Sequence, residues 1–196
     1  MTEQEIPVEP SPDGVITALF AHPHHTATPV SADKLTFEVG HGIQGDRHSG
    51  ARHSDVREKT LTKLGLRNGS LIANLRHFSA ISTEELVEIS RIMLGNDSLP
   101  PLPLEPNIVI TGIDQLSSLP VGTLLSFGPK RSAILAVWGE NEPCPVPHEN
   151  IKAAFPDATG AFASVARHRR GVVGFVYCGG PIKVGDPVYV HPRAAR

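Results

Sequence analysis

A chain of 196 residues with 40% hydrophobic and 19% charged residues carries enough apolar material for a self-sufficient core, and resembles neither a disordered nor a coiled-coil sequence. A formal charge of −2 and a pI near 6.5 give no electrostatic reason to expect nucleic acid or an anionic membrane surface as a partner. Two cysteines cannot build a disulfide framework, no apolar run approaches the ~20 residues of a membrane span, and the N-terminus has no signal-like core. A reducing, cytoplasmic setting is expected.

The first 13 residues, with three prolines and three glutamates, read as a mobile tail, with one domain over residues 14–196. The 18 glycines and 18 prolines announce many turns. Between them lie short runs with strand character: Val15 to Phe20, Leu35 to Val39, Leu71 to Ile81, Asn107 to Thr111, Thr123 to Phe127, Ala133 to Trp138, Val172 to Tyr177 and Pro181 to Val190. Strands of this number and length predict a barrel or closed sheet. In STEELVEISRIML, Ser82 and Glu85 form a capping box, and Leu86, Ile89 and Met93 follow at helical spacing. A second helix is expected from Gly160 to His168. No strand–helix–strand alternation spans the chain, which argues against a doubly wound parallel sheet.

Gly40, Gly42 and Gly45 spell the dinucleotide fingerprint GHGIQG, but the polar DRHSGARHSD after it has no helical period. The helix N-terminus that would hold a pyrophosphate is therefore missing, and the stretch reads as a glycine-rich functional loop. Histidines cluster at His22, His24 and His25 and again at His41, His48 and His53, yet without HExxH or paired CxxC spacing. The first cluster reads as solvated loop histidines. Cys178, at the end of the apolar run VVGFVYC, reads as a small shielded strand residue. Cys144 differs. Pro143 and Pro145 each fix φ and restrict the residue before them, so Cys144 is expected on an extended, rigid turn.

Four segments in series, GIQGDRHSG (42–50), PNIVITGID (106–114), EPCPV (142–146) and RRGVVGFVYCGGPIKVGDPVYV (169–190), resemble the MOSC domain, named for the C-terminal domain of molybdenum cofactor sulfurase. The resemblance covers roughly residues 14–191. It implies a mainly β, barrel-like fold with a few peripheral helices and a site cysteine, Cys144, that ligates molybdenum or carries a transferable sulfur. It further implies a cleft for the molybdenum cofactor (molybdopterin) lined by Gly45, Asp46, Arg47 and His48, with Asn107 beside it and Arg170 in reach of the phosphate. In that cleft Gly45 would let backbone N–H groups approach an oxyanion, and Arg47 would pair with it; Asp46 would line the cleft or orient the loop. Small stand-alone members resemble reductases of N-hydroxylated compounds or sulfur-transfer proteins, which act on a small-molecule substrate and need separate electron- or sulfur-donor proteins. A non-catalytic cofactor or persulfide carrier, and a metal-free enzyme with Cys144 as nucleophile and a histidine such as His48 as base, are the alternatives. The chain departs from the pattern in places: many relatives have an arginine one or three residues before the cysteine, where this chain has Pro143 and Asn141, and one branch has an arginine where this chain has Glu105.

Overall fold

Strict alternation in the apolar runs decides what each strand faces. Ile108 and Ile110 point into one core while Val109 between them points into another; Ala80 and Ile81, and Leu19 and Phe20, divide in the same way. A computed structural model describes residues 10–23, 28–54 and 63–193. In chain order the strands are β1 (Gly14–Ala21), β2 (Val30–Ser31), β3 (Lys34–Glu38), β4 (Gly42–Ile43), β5 (Arg52–His53), β6 (Leu71–Ile72), β7 (Phe78–Ser82), β8 (Ile108–Thr111), β9 (Leu124–Phe127), β10 (Ala133–Glu140), β11 (Val172–Cys178), β12 (Gly180–Lys183) and β13 (Pro187–His191). Among the described residues the α-helices are α1 (Thr83–Leu94), α2 (Pro145–Ala154) and the single turn α3 (Phe162–Val165). Within these residues no helix is long and apolar enough to cross a membrane.

Seven strands close into a barrel in the order β1-β13-β9-β10-β11-β7-β8, with β8 returning to pair with β1. All pairings in it are antiparallel except β7–β8, which are joined by a crossover through α1. Closure removes the sheet edges. The interior is filled by Phe37, Phe78, Phe127, Leu135, Ile108 and their neighbours. The outer faces of β1, β7 and β8 carry a second core in which Phe20, Ile81 and Val109 meet Leu86, Ile89 and Met93 of α1, Ile151 of α2 and Phe162 of α3. Helix α1 has the expected limits: Ser82 Oγ accepts the Glu85 N–H at 3.1 Å, and Gly95 ends it in the left-handed region.

Four expectations change. The run Leu71 to Ile81 is two strands, β6 and β7, parted where the Asn74 side chain accepts the Arg76 N–H. Pro181 to Val190 is also two: β12 leaves the barrel to pair with β3, and a turn at Gly185 returns the chain as β13, which closes the barrel. The helix from Gly160 to His168 shrinks to α3, bounded by positive φ at Gly160 and His168. Asp13, assigned to the tail, is docked: its N–H donates to Val188 O and its carboxylate accepts the Val190 N–H. The remainder of that tail through residue 9, and His24 and His25, lie outside the described residues.

Candidate active site

Asp46 is the hub of the glycine loop. Ile43 to Asp46 is a turn closed by Asp46 N–H to Ile43 O, with Gly45 at φ 73° in the position that calls for a left-handed residue. The turn delivers the Asp46 carboxylate, 4% exposed, into a knot of donors. Oδ2 accepts the His22 N–H at 2.9 Å and the Asn107 amide at 3.0 Å and lies 3.2 Å from His22 Nδ1, which the Asn107 amide also approaches at 3.0 Å; Oδ1 accepts the His48 N–H at 2.8 Å and lies 3.0 Å from His48 Nδ1. Burial pushes the Asp46 carboxyl up, but the bonds from His22 and His48 outweigh it and hold it well below the usual carboxylate range. Asn107, buried on the residue before β8, completes the knot through Oδ1, which accepts the Ser79 N–H, and Nδ2, which also reaches Phe20 O. Antiparallel β1–β8 pairing puts the end of β1, with His22, beside the start of β8.

This geometry corrects two expectations. His22 is 1% exposed and belongs to the knot; it is no solvated loop histidine. Nor do the backbone N–H groups of the loop await an oxyanion: those of Asp46, Arg47, His48, Ser49 and Gly50 are bonded to Ile43 O, His22 O, Asp46 Oδ1, Asp46 O and His41 O. Asp46 therefore takes the orienting role, and Asn107 the same. His22, Asp46 and His48 bring potential metal ligands within 4.8 Å of one another. Those atoms already engage one another, His22 Nδ1 lying 3.2 Å from Asp46 Oδ2 and His48 Nδ1 3.0 Å from Oδ1. Nothing from Gly45 through Ser54 is helical, so the dinucleotide fingerprint has no helix to act with.

Cys144 follows the end of β10. The chain leaves β10 opposite Val172 of β11, so Asn141 to Cys144 and Arg170 diverge from the same end of one strand pair. Cys144 has the expected extended backbone (φ −123°, ψ 169°), but it sits on no rigid turn: it is the N-cap of α2. Pro145 and Pro147 fall in the first helical turn, where a missing N–H costs nothing and fixed φ is already helical. The thiol makes no capping bond and instead meets Arg170 Nη1 at 3.7 Å. Arg170 Nη1 also donates to Glu142 O at 2.7 Å and reaches Asn141 Oδ1 at 3.5 Å; Arg76 Nη2 donates to the same Asn141 oxygen at 3.2 Å. Burial pushes the Arg170 guanidinium down, opposed by the nearby Cys144 sulfur and Glu105 carboxyl. A positive group in that position gains from an anion beside it.

Arg47 Nη2 donates to Glu105 Oε2 at 3.0 Å, and Glu105 Oε1 accepts from Asn150 of α2 at 3.3 Å. These contacts link the glycine loop, the residues just before β8, the residues after β10 and α2, with Cys144 at the N-cap of α2. The sequence pattern places Arg47, Arg170 and Cys144 here, and marks Asn141 and Glu105 only as departures. Arg76 and His22 carry no local signal, since each arrives by a fold contact. Cys178 is exposed, against expectation. A register shift makes Tyr177 an extra residue between the pairs Leu135–Val176 and Ile134–Cys178. Cys178 therefore shares the outward face of Ile134 and leaves the core alternation of Val172 and Val176.

Residues 67–189 match the family model of the MOSC domain. The chain belongs to the MOSC domain family. The match takes in Cys144, Asn107 and Arg170; the glycine loop precedes it. Among curated relatives, YuaD of Bacillus subtilis (strain 168), which its name places among metal-sulfur cluster biosynthesis proteins, is 35% identical over 163 residues, covering 81% of this chain and 80% of YuaD. The crystal structure of the Bacillus subtilis YuaD protein superposes with a TM-score of 0.82 at 33% identity, over 92% of this chain and 97% of that one. YiiM of Escherichia coli shares the fold at a TM-score of 0.57 and 13% identity, over 93% of this chain and 72% of its own.

Proposed function

We propose that this MOSC protein works through Cys144 as a soft sulfur donor in an anion-receiving cleft, and that its ligand is the anionic molybdenum cofactor. The observation that carries the reading is the Cys144 thiol at the N-cap of α2, left unbonded by the helix and placed 3.7 Å from Arg170. The donor set fits such a group: one thiol suited to a soft metal, with Arg170 and Arg76 meeting at Asn141 and Arg47 at Glu105 to supply the cations a phosphate would need. Bound there, the cofactor would supply two-electron redox chemistry at molybdenum. Cys144 would hold it, Arg170 would balance the charge on the sulfur, and the Asp46 knot would keep Arg47 in place. The substrate class is N-hydroxylated or related small compounds, with electrons from a separate protein.

A second reading, sulfur carriage on Cys144, is favoured by the name of YuaD and by the ion pair that Glu105 already makes with Arg47. A persulfide on Cys144 would pass its outer sulfur to an acceptor thiolate and leave the Cys144 thiolate beside Arg170. The metal-free reading is less favoured, because the polar partner of the Cys144 sulfur among the described residues is Arg170 and not a histidine.

Protein made in a cofactor-competent host and assayed for molybdenum, pterin fluorescence and cyanide-labile sulfur separates these readings. Molybdenum and pterin that are lost in Cys144→Ser support the first. Labile sulfur without metal supports the second, and neither signal defeats both.

A further inference from the structure

Glu105 occupies an unusual seat. It ends the short 3-10 turn Leu102–Leu104 in the left-handed region (φ 52°, ψ 49°), with its N–H bonded to Leu102 O, and Pro106 comes next. A non-glycine residue is unfavourable there, and a proline after it narrows its alternatives, so the conformation persists only because its surroundings hold it. What the seat achieves is placement of a carboxylate. Oε2 meets Arg47 Nη2 at 3.0 Å, Oε1 meets Asn150 Nδ2 at 3.3 Å, and Arg170 stands within electrostatic reach. Side-chain exposures of 15% for Arg47 and 24% for Glu105 leave the ion pair shielded from bulk water but open to a competitor. Arg76 and Arg170, which share the neutral Asn141 oxygen, are cationic.

We infer that Glu105 is an internal counter-anion: its carboxylate occupies an Arg47 donor that an incoming oxyanion would use, so phosphate-like groups bind in competition with it. Glu105 is thereby the residue that sets how strongly the cleft selects for anions. The inference rests on reading the cleft as an anion-receiving site. A carboxylate and a phosphate compete for the same planar fork of donors, and the one already in place lowers the apparent affinity of the other. The two oxygens divide the work. Oε2 is the one to be released, while Oε1 keeps its bond to Asn150, on the helix that begins after Cys144. Displacement therefore leaves the carboxylate with a partner instead of stranding it.

Calorimetric titration of the full chain with inorganic pyrophosphate tests this. Glu105→Gln keeps an acceptor for Asn150 and removes the charge, and should bind on the order of tenfold more tightly than wild type. In an Arg47→Met background the same replacement should give no gain, because the donor in contention is gone. Glu105→Ala is the second probe, and should share the gain of Glu105→Gln. An equal or weaker affinity in both folded variants overturns the inference, as does a gain that persists without Arg47. Unfolding of both variants would make Glu105 a structural residue and overturn it too. Pyrophosphate carries neither metal nor transferable sulfur and leaves Cys144 untouched, so a failure of the Cys144 chemistry would not move this readout.

Discussion

Arg170 Nη1 lies 3.7 Å from the Cys144 sulfur, and the same nitrogen is anchored to Glu142 O at 2.7 Å, so the charge is held in place before any ligand arrives. The guanidinium is the polar group that the sulfur meets, and a thiolate is the form that alkylates, ligates metal or accepts sulfur. Arg170→Met should slow alkylation of Cys144 by roughly tenfold while leaving Cys178, remote in sequence and exposed, unchanged as an internal control. Both thiols are accessible, so the measurement must be resolved by peptide mass mapping. Equal rates at Cys144 in the two proteins would remove Arg170 from the sulfur's chemistry.

Asp46→Asn places an amide where three N–H donors and two histidine ring nitrogens converge on a carboxylate, so some of those N–H groups must face another N–H inside the protein. A loss of roughly 2–4 kcal/mol is expected in a denaturant melt. The pH dependence comes from a carboxyl held below its ordinary value of 3.8. In the wild type this contribution is complete above that value and is lost as pH falls through the lower native one. Asp46→Asn should therefore differ most from wild type above about pH 4, and the gap should narrow in acid. A gap that is constant with pH would mean that the carboxylate's charge is not what the knot recognises.

These two sites show what the chain does and does not disclose locally. Alternation and turn residues mark the barrel strands, and the Ser82 to Met93 pattern marks α1, because each of those signals is contained within a few neighbouring residues. The parallel β7–β8 pairing and the docking of His22 on Asp46, 24 residues away, are long-range contacts that no local period encodes. Helix α2 is hidden for a different reason. Prolines at its start look like turn residues, and only the backbone phase shows that they occupy helical positions whose N–H groups need no partner. The outward face of Cys178 depends on a register shift against β10, which the apolar run VVGFVYC does not reveal.

Two glycines should behave oppositely when given a methyl group. At Gly174 a Cβ would overlap the Ala136 carbonyl oxygen and stand 2.9 Å from the Phe78 ring, so β10 and β11 would have to part. Gly174→Ala should cost roughly 3–5 kcal/mol or prevent folding. At Gly45 no atom lies within 4 Å of the added Cβ, and only φ of 73° opposes it. Gly45→Ala should cost about 1–2 kcal/mol. Thermal melts that rank the two in reverse would contradict the strand contact.

Glu85, 2% exposed at the third position of α1, accepts the Ser117 N–H at 2.7 Å and so ties the helix start to the turn before β9. Burial pushes its carboxyl up from 4.5, against hydrogen bonds from Ser117 and Ser82 that pull the other way. The native state therefore keeps this proton to a higher pH than the unfolded chain does. Because the native state binds more protons in that window, stability falls as pH rises from about 4.5 through the raised native value, then levels off. Glu85→Gln retains an oxygen for Ser117 and never ionises. It should be more stable than wild type by about 1 kcal/mol at about pH 8 and no more stable at about pH 4, where the wild-type carboxyl is protonated in the fold. Paired melts at the two pH values decide it: an advantage of equal size at both would locate the effect in packing, and a Gln variant less stable in the alkaline melt would show that the buried charge is compensated.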